Sequence, residues 1–485
     1  MKLKDLIKHI RILSSHADPE TEITDICYDS RQVGPGSLFV AIRGFETDGH
    51  RYIKMALAKG AAAILCEEEQ PETVPYLLTD DSRLGLALVS RDFFGDPASQ
   101  MCMIGITGTS GKTTSSYLIK HMLETELGAK VGLIGTNGNM IGSEFLHTEH
   151  TTPESCELQR LFRAMADEGC THVVMEVSSH ALCLHRVAGV HFRVGIYTNL
   201  SQDHLDFHGT MEEYAAAKKK LLDQCDAVCV NMDDDWAAFM MENAPCRIRT
   251  FSAKSSAAQL CARDIRLSAE GVRFAAVSDN DLALTRLPIP GMFSVYNALG
   301  VMAAGVELGL SLARCADAMS SAKGVKGRVE VVPTDGDYAI LIDYAHKPDA
   351  LEKVLKTLRP VTRGRLIVLF GCGGDRDRGK RPIMGAIAEA NADLCIVTSD
   401  NPRTEEPMAI INEILAGMKN SRTTTKVICD RLKAIEWAID NARQGDVILL
   451  AGKGHEDYQV VGKDKHHMDE REIVADCLAR RKEQR

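Results

Sequence analysis

Residues 101–114 read MCMIGITGTSGKTT, and this stretch decides the fold. Met103, Ile104, Ile106 and Thr107 make a short apolar, β-branched run, which reads as a buried strand. It breaks into Gly108-Thr109-Ser110-Gly111, and Lys112-Thr113-Thr114 opens a helix predicted to reach about Leu127 through Tyr117, Leu118, Met122 and Leu123.

Strand, glycine turn, Lys-Thr and helix in that order make a cradle for a nucleoside triphosphate. Small residues let backbone N–H groups close on phosphate oxygens, and the helix N-terminus adds positive potential. Lys112 neutralises charge, and the Thr113 hydroxyl can hold Mg²⁺. The loop is shorter than G-x-x-x-x-G-K-[ST], whose first glycine would fall on Ile106. No guanine-reading N-K-x-D occurs in the chain.

At 485 residues the chain is long enough for about three domains with full cores. Hydrophobic content of 45% and charged content of 26% describe an ordinary globular protein. No apolar run approaches the roughly 18 residues that span a bilayer, and MKLKDLIKHIRIL reads as an amphipathic helix rather than a leader. The 15 cysteines are scattered, without C-x-x-C pairing, which favours reduced thiols in a cytoplasm over disulfides or zinc. A net charge of −10 argues against nucleic acid as a partner.

Residues 1–98 are predicted to form a small α/β domain, with strands at Ile23–Tyr28, Ser37–Ile42 and Ala62–Cys66 and helices at Lys4–Leu13, Tyr52–Lys59 and Leu84–Phe94. Asp29-Ser30-Arg31 follows the first strand as a loop. Residues 99–332 alternate strand and helix, as a mostly parallel sheet does. Thr152 and Pro153 are expected as N-cap and first residue of a helix reaching Asp167. Glu176 ends the apolar strand THVVMEV. Beside a phosphate loop, a strand-end carboxylate orients Mg²⁺ or its water; otherwise it is a surface acid. The segment from Asn199 to His208 is dense in Asp and His, and His204 is in reach of a metal or simply part of a polar loop.

The helix predicted from Met211 to Cys225 puts Tyr214, Lys218, Leu221 and Leu222 on one stripe, with Lys219 and Lys220 turned to solvent. A desolvated lysine loses proton affinity, and its neutral amine can take up CO₂ as a carbamate able to bind Mg²⁺. A lysine with its stem on the core and its head in water fits the same stripe, and the pattern alone favours it. Further on, Ser294–Leu312 reads as a helix with Asn297 near its start, and Gly324–Gly327, ahead of Arg328, as a hinge.

Residues 333–485 form a third, Rossmann-like unit. Its polar loops follow strand ends, where such sheets bind ligands: Asp343 to Lys347, Gly371 to Arg378, Ser399 to Arg403 and Gly452 to Glu456. No G-x-G-x-x-G marks a dinucleotide site. The fold class is therefore α/β in three domains: a central P-loop-type parallel-sheet ATPase domain between a small N-terminal α/β domain and a Rossmann-like C-terminal one.

These motifs together resemble the Mur ligases, ATP-dependent amide-forming enzymes of peptidoglycan precursor synthesis, over essentially the whole chain. GTSGKTT is similar to the family's ATP loop, EVSSH and TNLSQDHLDFHG to its central motifs, YAAAK to the segment bearing its carbamylated lysine, and DYAHKPD and AGKGHEDYQ to its C-terminal motifs. DSR, TTPES and DNPR resemble the branch that adds the third stem-peptide residue to UDP-N-acetylmuramoyl-L-Ala-D-Glu (UDP-MurNAc-L-Ala-D-Glu).

The resemblance implies that Gly108, Thr109, Ser110, Gly111, Lys112, Thr113, Thr114, Asn297 and Arg328 bind ATP. Ser30, Thr151, Thr152, Ser178 and Arg186 would hold the UDP substrate. Lys112, Lys218, His204 and Glu176 would be catalytic, with Thr113, Glu176, His204 and a carbamylated Lys218 on Mg²⁺. Arg376, Asp400, Asn401, Pro402, Arg403, Gly452 and Glu456 would form a pocket for meso-diaminopimelate rather than L-lysine. Chemistry agrees: Arg403 can grip the distal carboxylate that lysine lacks, and Glu456 can pair with the distal ammonium. The enzyme would be a cytoplasmic monomer without membrane insertion, whose third domain closes on ATP about a hinge near Gly327. Leu184 stands where some relatives carry Gln, and Arg43-Gly44-Phe45 departs from the expected uridine pocket, so neither is carried over. The competing readings are an L-lysine-adding enzyme, a folylpolyglutamate synthetase-like ligase, and a P-loop switch that binds nucleotide and a protein partner.

Overall fold

A computed structural model describes the chain except for residues 45–46, 149, 335, 420–422 and 484–485; Phe45 of the uridine-pocket comparison therefore lies outside the described residues. The fold is the three-domain α/β type, and the chain forms two compact units. One comprises Met1–Cys261 with Leu299–Cys315, the other Ala262–Ala298 with Ala316–Arg485.

In the first unit, strands Cys102–Thr107, Val131–Gly135, His172–Glu176, Phe192–Tyr197, Cys225–Asn231 and Arg247–Ser252 run parallel, and Gly138–Ile141 and Glu144–Leu146 extend the sheet as antiparallel strands. Their Val, Ile and Leu side chains are buried on both faces, which is why they read as apolar runs rather than alternating ones. Cys102–Thr107 lies between His172–Glu176 and Phe192–Tyr197, with Ile106 opposite Glu176 and Thr107 opposite Tyr197. The glycine turn therefore leaves the sheet with Glu176 on one side and Thr198-Asn199 on the other. In such a sheet, that crevice at the strand C-termini is where ligands bind.

The smaller sheet of this unit runs Ile12–Ser15, Tyr76–Thr79, Ala63–Cys66, Ser37–Val40 and Asp25–Cys27, antiparallel only at its first strand. The expected helix Lys4–Leu13 is confined to Leu3–Leu6. Beyond it the chain turns into the edge strand Ile12–Ser15, where Ile12 faces Thr79 and Leu13 points out, 50% exposed. Period-2 burial next to a waiting sheet edge overrides the helical spacing.

The second unit holds the C-terminal sheet, ordered Glu330–Val332, Ala339–Asp343, Val447–Ala451, Leu366–Phe370, Leu394–Val397 and Thr424–Val427, parallel after the first strand. Alternate residues feed two cores. Leu341, Val368 and Phe370 pack toward Pro348–Leu358, Lys380–Asn391 and Pro407–Leu415, while Ile340, Ile367 and Leu450 pack toward Arg431–Asp440 and Glu470–Glu483. The helix expected over Ser294–Leu312 is two helices, Met292–Glu307 and Leu312–Ser321, separated at Leu308 to Ser311. The 15 cysteines are all free, and no helix among the described residues is long and apolar enough to cross a membrane.

Across the second core, Arg431 donates from Nε to Glu470 Oε1 at 2.8 Å and from Nη2 to Ala451 O at 2.9 Å, with both charged side chains at most 1% exposed. Removing one partner leaves the other charge buried and unpaired. Arg431→Met should therefore cost about 3–5 kcal/mol in urea unfolding, and Arg431→Met with Glu470→Leu much less. A double variant less stable than the single one would contradict this account.

Candidate active site

The phosphate loop is closed by the chain segment that follows Phe192–Tyr197. Gly108 has φ +148°, and a Cβ there would stand 1.9 Å from Thr198 Oγ1, so no other residue fits. Thr198 Oγ1 donates to Ser110 O at 2.7 Å, Thr109 N donates to Asn199 O at 2.9 Å, and Asn199 exchanges hydrogen bonds with Ser110 N and O at 3.0 and 3.1 Å. The loop is thus shaped before any phosphate arrives. Lys112, Thr113 and Thr114 begin the helix Lys112–Leu127, as expected.

Lys112 Nζ donates to Gly108 O at 2.8 Å and Thr109 O at 3.1 Å. Lys218 Nζ donates to the same Gly108 O at 3.0 Å and lies 4.5 Å from the Tyr214 ring centroid. Lys218 is 1% exposed, so the core reading holds and the snorkelling one fails. Burial first, then the charge of Lys112, holds its pKa well below the ordinary lysine value, opposed by Asp203. Its helix is shorter than expected, Met211–Lys219, because Cys225 already starts the strand Cys225–Asn231. Lys219 does not turn to solvent: its Nζ donates to Phe239 O and Glu242 O at 2.7 and 2.6 Å.

Glu176 is 1% exposed and accepts from Thr136 N and Thr136 Oγ1, both at 3.0 Å. A Cβ on Gly135 would approach Glu176 Oε1 to 2.3 Å, so the glycine makes room for the carboxylate. Thr152 is not a helix cap: Ser155–Asp167 is capped by Glu154, and the Thr152 hydroxyl donates to Glu176 O at 2.8 Å and accepts from Ser178 N at 3.2 Å. These tertiary bonds outcompete the local cap. Thr151 Oγ1 lies 2.9 Å from Thr136 Oγ1, and Arg186 Nη1 donates to Thr152 O at 3.0 Å. The structure therefore brings Glu176, Thr151, Thr152, Ser178 and Arg186 together.

Beside them opens a cavity of about 680 Å³ whose lining includes Tyr28, Arg83, His147, Glu154, Arg160 and Arg186. Arg83 and Arg186 share Glu154 at 3.4 and 3.3 Å, and Tyr28 donates to Glu157 at 3.0 Å. Ser30 is buried in the turn after Asp25–Cys27. Arg43 pairs with Glu68 at 3.1 Å, and its carbonyl accepts from Arg83. Leu184 ends the short helix Ser179–Cys183. A second cavity, about 590 Å³, lies at the opposite ends of the same strands, by Met103, His172, Arg193 and Asp226, away from the strand C-termini.

His204 is 48% exposed with its Nε2 3.5 Å from Asp203, and its ring meets His180 edge-on at 4.9 Å. His208 is buried: Nε2 lies 2.9 Å from Ser179 Oγ and the ring 4.9 Å from Tyr214. Burial first, then the charges of His180, Lys218 and His204, bring its pKa down to about 4. Among the described residues one other cluster has the makings of a metal site, Asp48, His50 and Glu68. Its imidazole is spent, with Nδ1 2.7 Å from Asp48 and Nε2 accepting from Glu67 N.

In the second unit, Asn297 is buried on Met292–Glu307 with no partner for its Nδ2 among the described residues. Arg328 lies over the Tyr344 ring, 5.6 Å from its centroid, and Tyr344 meets His455 at 4.8 Å. The C-terminal loops converge as expected. Arg403 holds φ +51°, pinned by bonds from its N to Val460 O and from Gly462 N to its O, and its Nη1 donates to Gly374 O at 2.8 Å. Asp400 Oδ1 accepts from Asn401 N at 2.6 Å, while its Oδ2 would touch a Cβ on Gly452 at 2.8 Å. Asn401 Nδ2 donates to Glu456 Oε2 at 2.9 Å. Pro402 is buried, and Arg376 is exposed with its Nη1 on Asp375 O at 3.1 Å. Buried Arg381 clamps this corner by donating to Glu405 and Glu413 at 2.8–2.9 Å.

Sequence reasoning missed Thr136, Arg83 and Arg381. Thr136 is the first residue past the strand Val131–Gly135, a position that signals a site; Arg83 and Arg381 lie on helices with no local signal.

Three family descriptions match the chain: "Mur ligase family, catalytic domain" over residues 22–84, "Mur ligase middle domain" over 106–305 and "Mur ligase, glutamate ligase domain" over 327–454. The chain is 45% identical over 482 residues to a UDP-N-acetylmuramoyl-L-alanyl-D-glutamate--2,6-diaminopimelate ligase of Caldanaerobacter subterraneus subsp. tengcongensis, covering 99% of both chains. It is 43% identical to the ligase of that name from Clostridioides difficile, over 99% of this chain and all of the other. A solved structure with that name superposes with TM-score 0.78 at 33% identity over 99% of both chains. A Thermotoga maritima MurF ligase in complex with ADP shares the fold, at TM-score 0.59 and 19% identity over 96% of this chain and 98% of that one.

His208 makes stability depend on pH. Its imidazole stays neutral in the fold down to about pH 4, whereas the unfolded chain takes up that proton near pH 6.5. Between those values the unfolded state binds more proton, so stability is full above pH 6.5 and falls as the pH drops to about 4. Urea unfolding across that range should show a shallower acid loss for His208→Gln than for the natural protein; equal slopes would refute the assignment.

Proposed function

The chain belongs to the Mur ligase family, and we propose that it joins meso-diaminopimelate to the D-glutamyl γ-carboxylate of UDP-MurNAc-L-Ala-D-Glu at the expense of ATP. The observation that carries this reading is full-length identity of 43–45% to ligases of that name, in a chain whose phosphate loop, cavity and Asp400–Arg403 loop are all formed. In this reading residues 1–98 take the UDP end, 99–332 the ATP and 333–485 the amino acid, in a cytoplasmic monomer.

ATP phosphorylates the γ-carboxylate, the amine of diaminopimelate attacks the acyl phosphate, and phosphate leaves from a tetrahedral adduct. The backbone N–H groups of Gly108 to Thr114 and the Lys112 ammonium bind the triphosphate, with Asn297 and Arg328 as further ATP contacts. Ser30, Thr151, Thr152, Ser178 and Arg186 hold the sugar-peptide, so that its carboxylate faces the phosphate loop.

The donor set fits Mg²⁺. Thr113 and Glu176 offer the oxygen ligands a hard cation prefers, and Glu176 is a buried carboxylate held, among the described residues, by the neutral donors of Thr136. Lys218 fits once modified: burial holds its pKa well below the ordinary lysine value, which favours the neutral amine, and that nitrogen adds to CO₂ with release of a proton, giving a carbamate. Thr113 and Glu176 would hold one Mg²⁺, and His204 and that carbamate a second; when bound, the metal would neutralise charge on the transferring phosphoryl group.

In the amino-acid pocket, Arg403 spends one donor on Gly374 O and keeps the rest of its fork for the distal carboxylate. Lysine would leave that fork unpaired, which is strongly selective. Asp400, Asn401, Pro402, Gly452, Arg376 and Glu456 complete the pocket.

Two measurements test the reading. Phosphate release with ATP, Mg²⁺ and UDP-MurNAc-L-Ala-D-Glu should require meso-diaminopimelate, with L-lysine at least about a hundredfold poorer in kcat/KM. Equal turnover with lysine would overturn the role of Arg403, and no turnover with either would overturn the function. Lys218→Ala should abolish turnover and recover part of it with a short carboxylate additive; a fully active variant would remove the carbamate.

A further inference from the structure

Lys453 is wholly buried, at 0% exposure, inside the loop that carries Gly452 and Glu456. Its ammonium meets three acceptors: Asn401 Oδ1 at 2.6 Å, Glu456 Oε2 at 3.2 Å and the Tyr458 carbonyl. An ammonium has three N–H donors, so Lys453 has none left for a ligand. Its partners are the residues that face one. Asn401 Oδ1 takes Lys453 Nζ and Val460 N, the latter at 2.9 Å, while Asn401 Nδ2 donates to Glu456 Oε2. Two donors at one end and an acceptor at the other fix the amide's orientation. Glu456 Oε2 is thereby occupied twice, and Oε1 accepts no bond among the described residues.

We infer that Lys453 is a positioning residue for amino-acid recognition: it fixes Asn401 and turns Glu456 so that Oε1 alone is offered to the distal ammonium of the incoming diamino acid. The inference rests on the diaminopimelate reading above. It separates Lys453 from Lys112 and Lys218, because it acts on the amino acid without touching it and leaves nucleotide binding alone. A charged side chain is needed at that place. Without it the partly buried Glu456 carboxylate keeps only the Asn401 amide as a donor among the described residues and swings toward water.

The test is steady-state kinetics on Lys453→Met, which keeps the length of the chain, and on Lys453→Gln, which can still donate to Asn401 but carries no charge. Circular dichroism checks the fold of each. The KM for meso-diaminopimelate should rise roughly tenfold or more in both, with kcat and the KM values for ATP and UDP-MurNAc-L-Ala-D-Glu within about threefold of the natural enzyme. A general loosening of the domain would not produce that split. An unchanged KM for diaminopimelate, a parallel rise for all three substrates, or failure of both variants to fold would overturn the inference and leave Lys453 a stability residue. If only Lys453→Met fails to fold, Lys453→Gln decides. Natural enzyme that turns over without preference for diaminopimelate would instead sink the underlying reading, which the same assay reports separately.

Discussion

One carbonyl oxygen organises the catalytic end of this molecule. Gly108 O accepts from Lys112 and Lys218 at once, so two lysine amines from different helices are drawn to the base of the phosphate loop. Burial first, and then the neighbouring charge of Lys112, makes Lys218 costly to protonate. The arrangement demands a glycine at 108, for its backbone angle and because Thr198 lies where a side chain would go. It demands that Thr198 and Asn199 follow the neighbouring strand, since they close the loop. It places Tyr214, one helical turn before Lys218, over the amine. The closed glycine turn and the buried lysine are two results of one hydrogen-bonding problem.

Much of this was readable from residues alone. The order strand, glycine turn, Lys-Thr, helix is local, and local signals survive folding. The burial of Lys218 was visible as a stripe, yet spacing could not decide whether the head reached water; only the neighbouring strand and Gly108 settle that. Thr152 shows the opposite failure. Thr-Pro-Glu is a good helix start, and a nearby strand end offered the hydroxyl better partners. Ile12–Ser15 went the same way, from a helical spacing to a sheet edge. What local chemistry could not supply was the long-range partner: Thr136 beneath Glu176, Arg83 across from Arg186, Arg381 behind Glu405. The Rossmann-like character of the C-terminal unit was legible because short apolar runs alternate with helical stretches along residues 333–485.

The C-terminal loops sit at the ends of a sheet packed between two apolar cores, and polar contacts tie them to one another. Buried cations do the work of packing. Arg381 ties Glu405 and Glu413, Arg431 ties Glu470 to the strand end at Ala451, and Arg403 is locked in an unfavourable backbone angle by its bonds to Val460 O and Gly462 N. Such pairs add little net stability compared with apolar replacements. What they add is direction, because a guanidinium fork fixes its partners in a plane.

The cavity by Thr152 carries its own counter-ion. Arg83 and Arg186 both lean on Glu154, at distances too long for tight bonds. An anionic guest therefore does not enter an empty positive pocket; it exchanges with a carboxylate already in residence. Exchange of that kind would release little bound salt, and Glu154 also caps the helix Ser155–Asp167, so the same carboxylate joins the cavity to that helix. The pocket is in effect a small ion exchanger, charged beforehand with the protein's own acid.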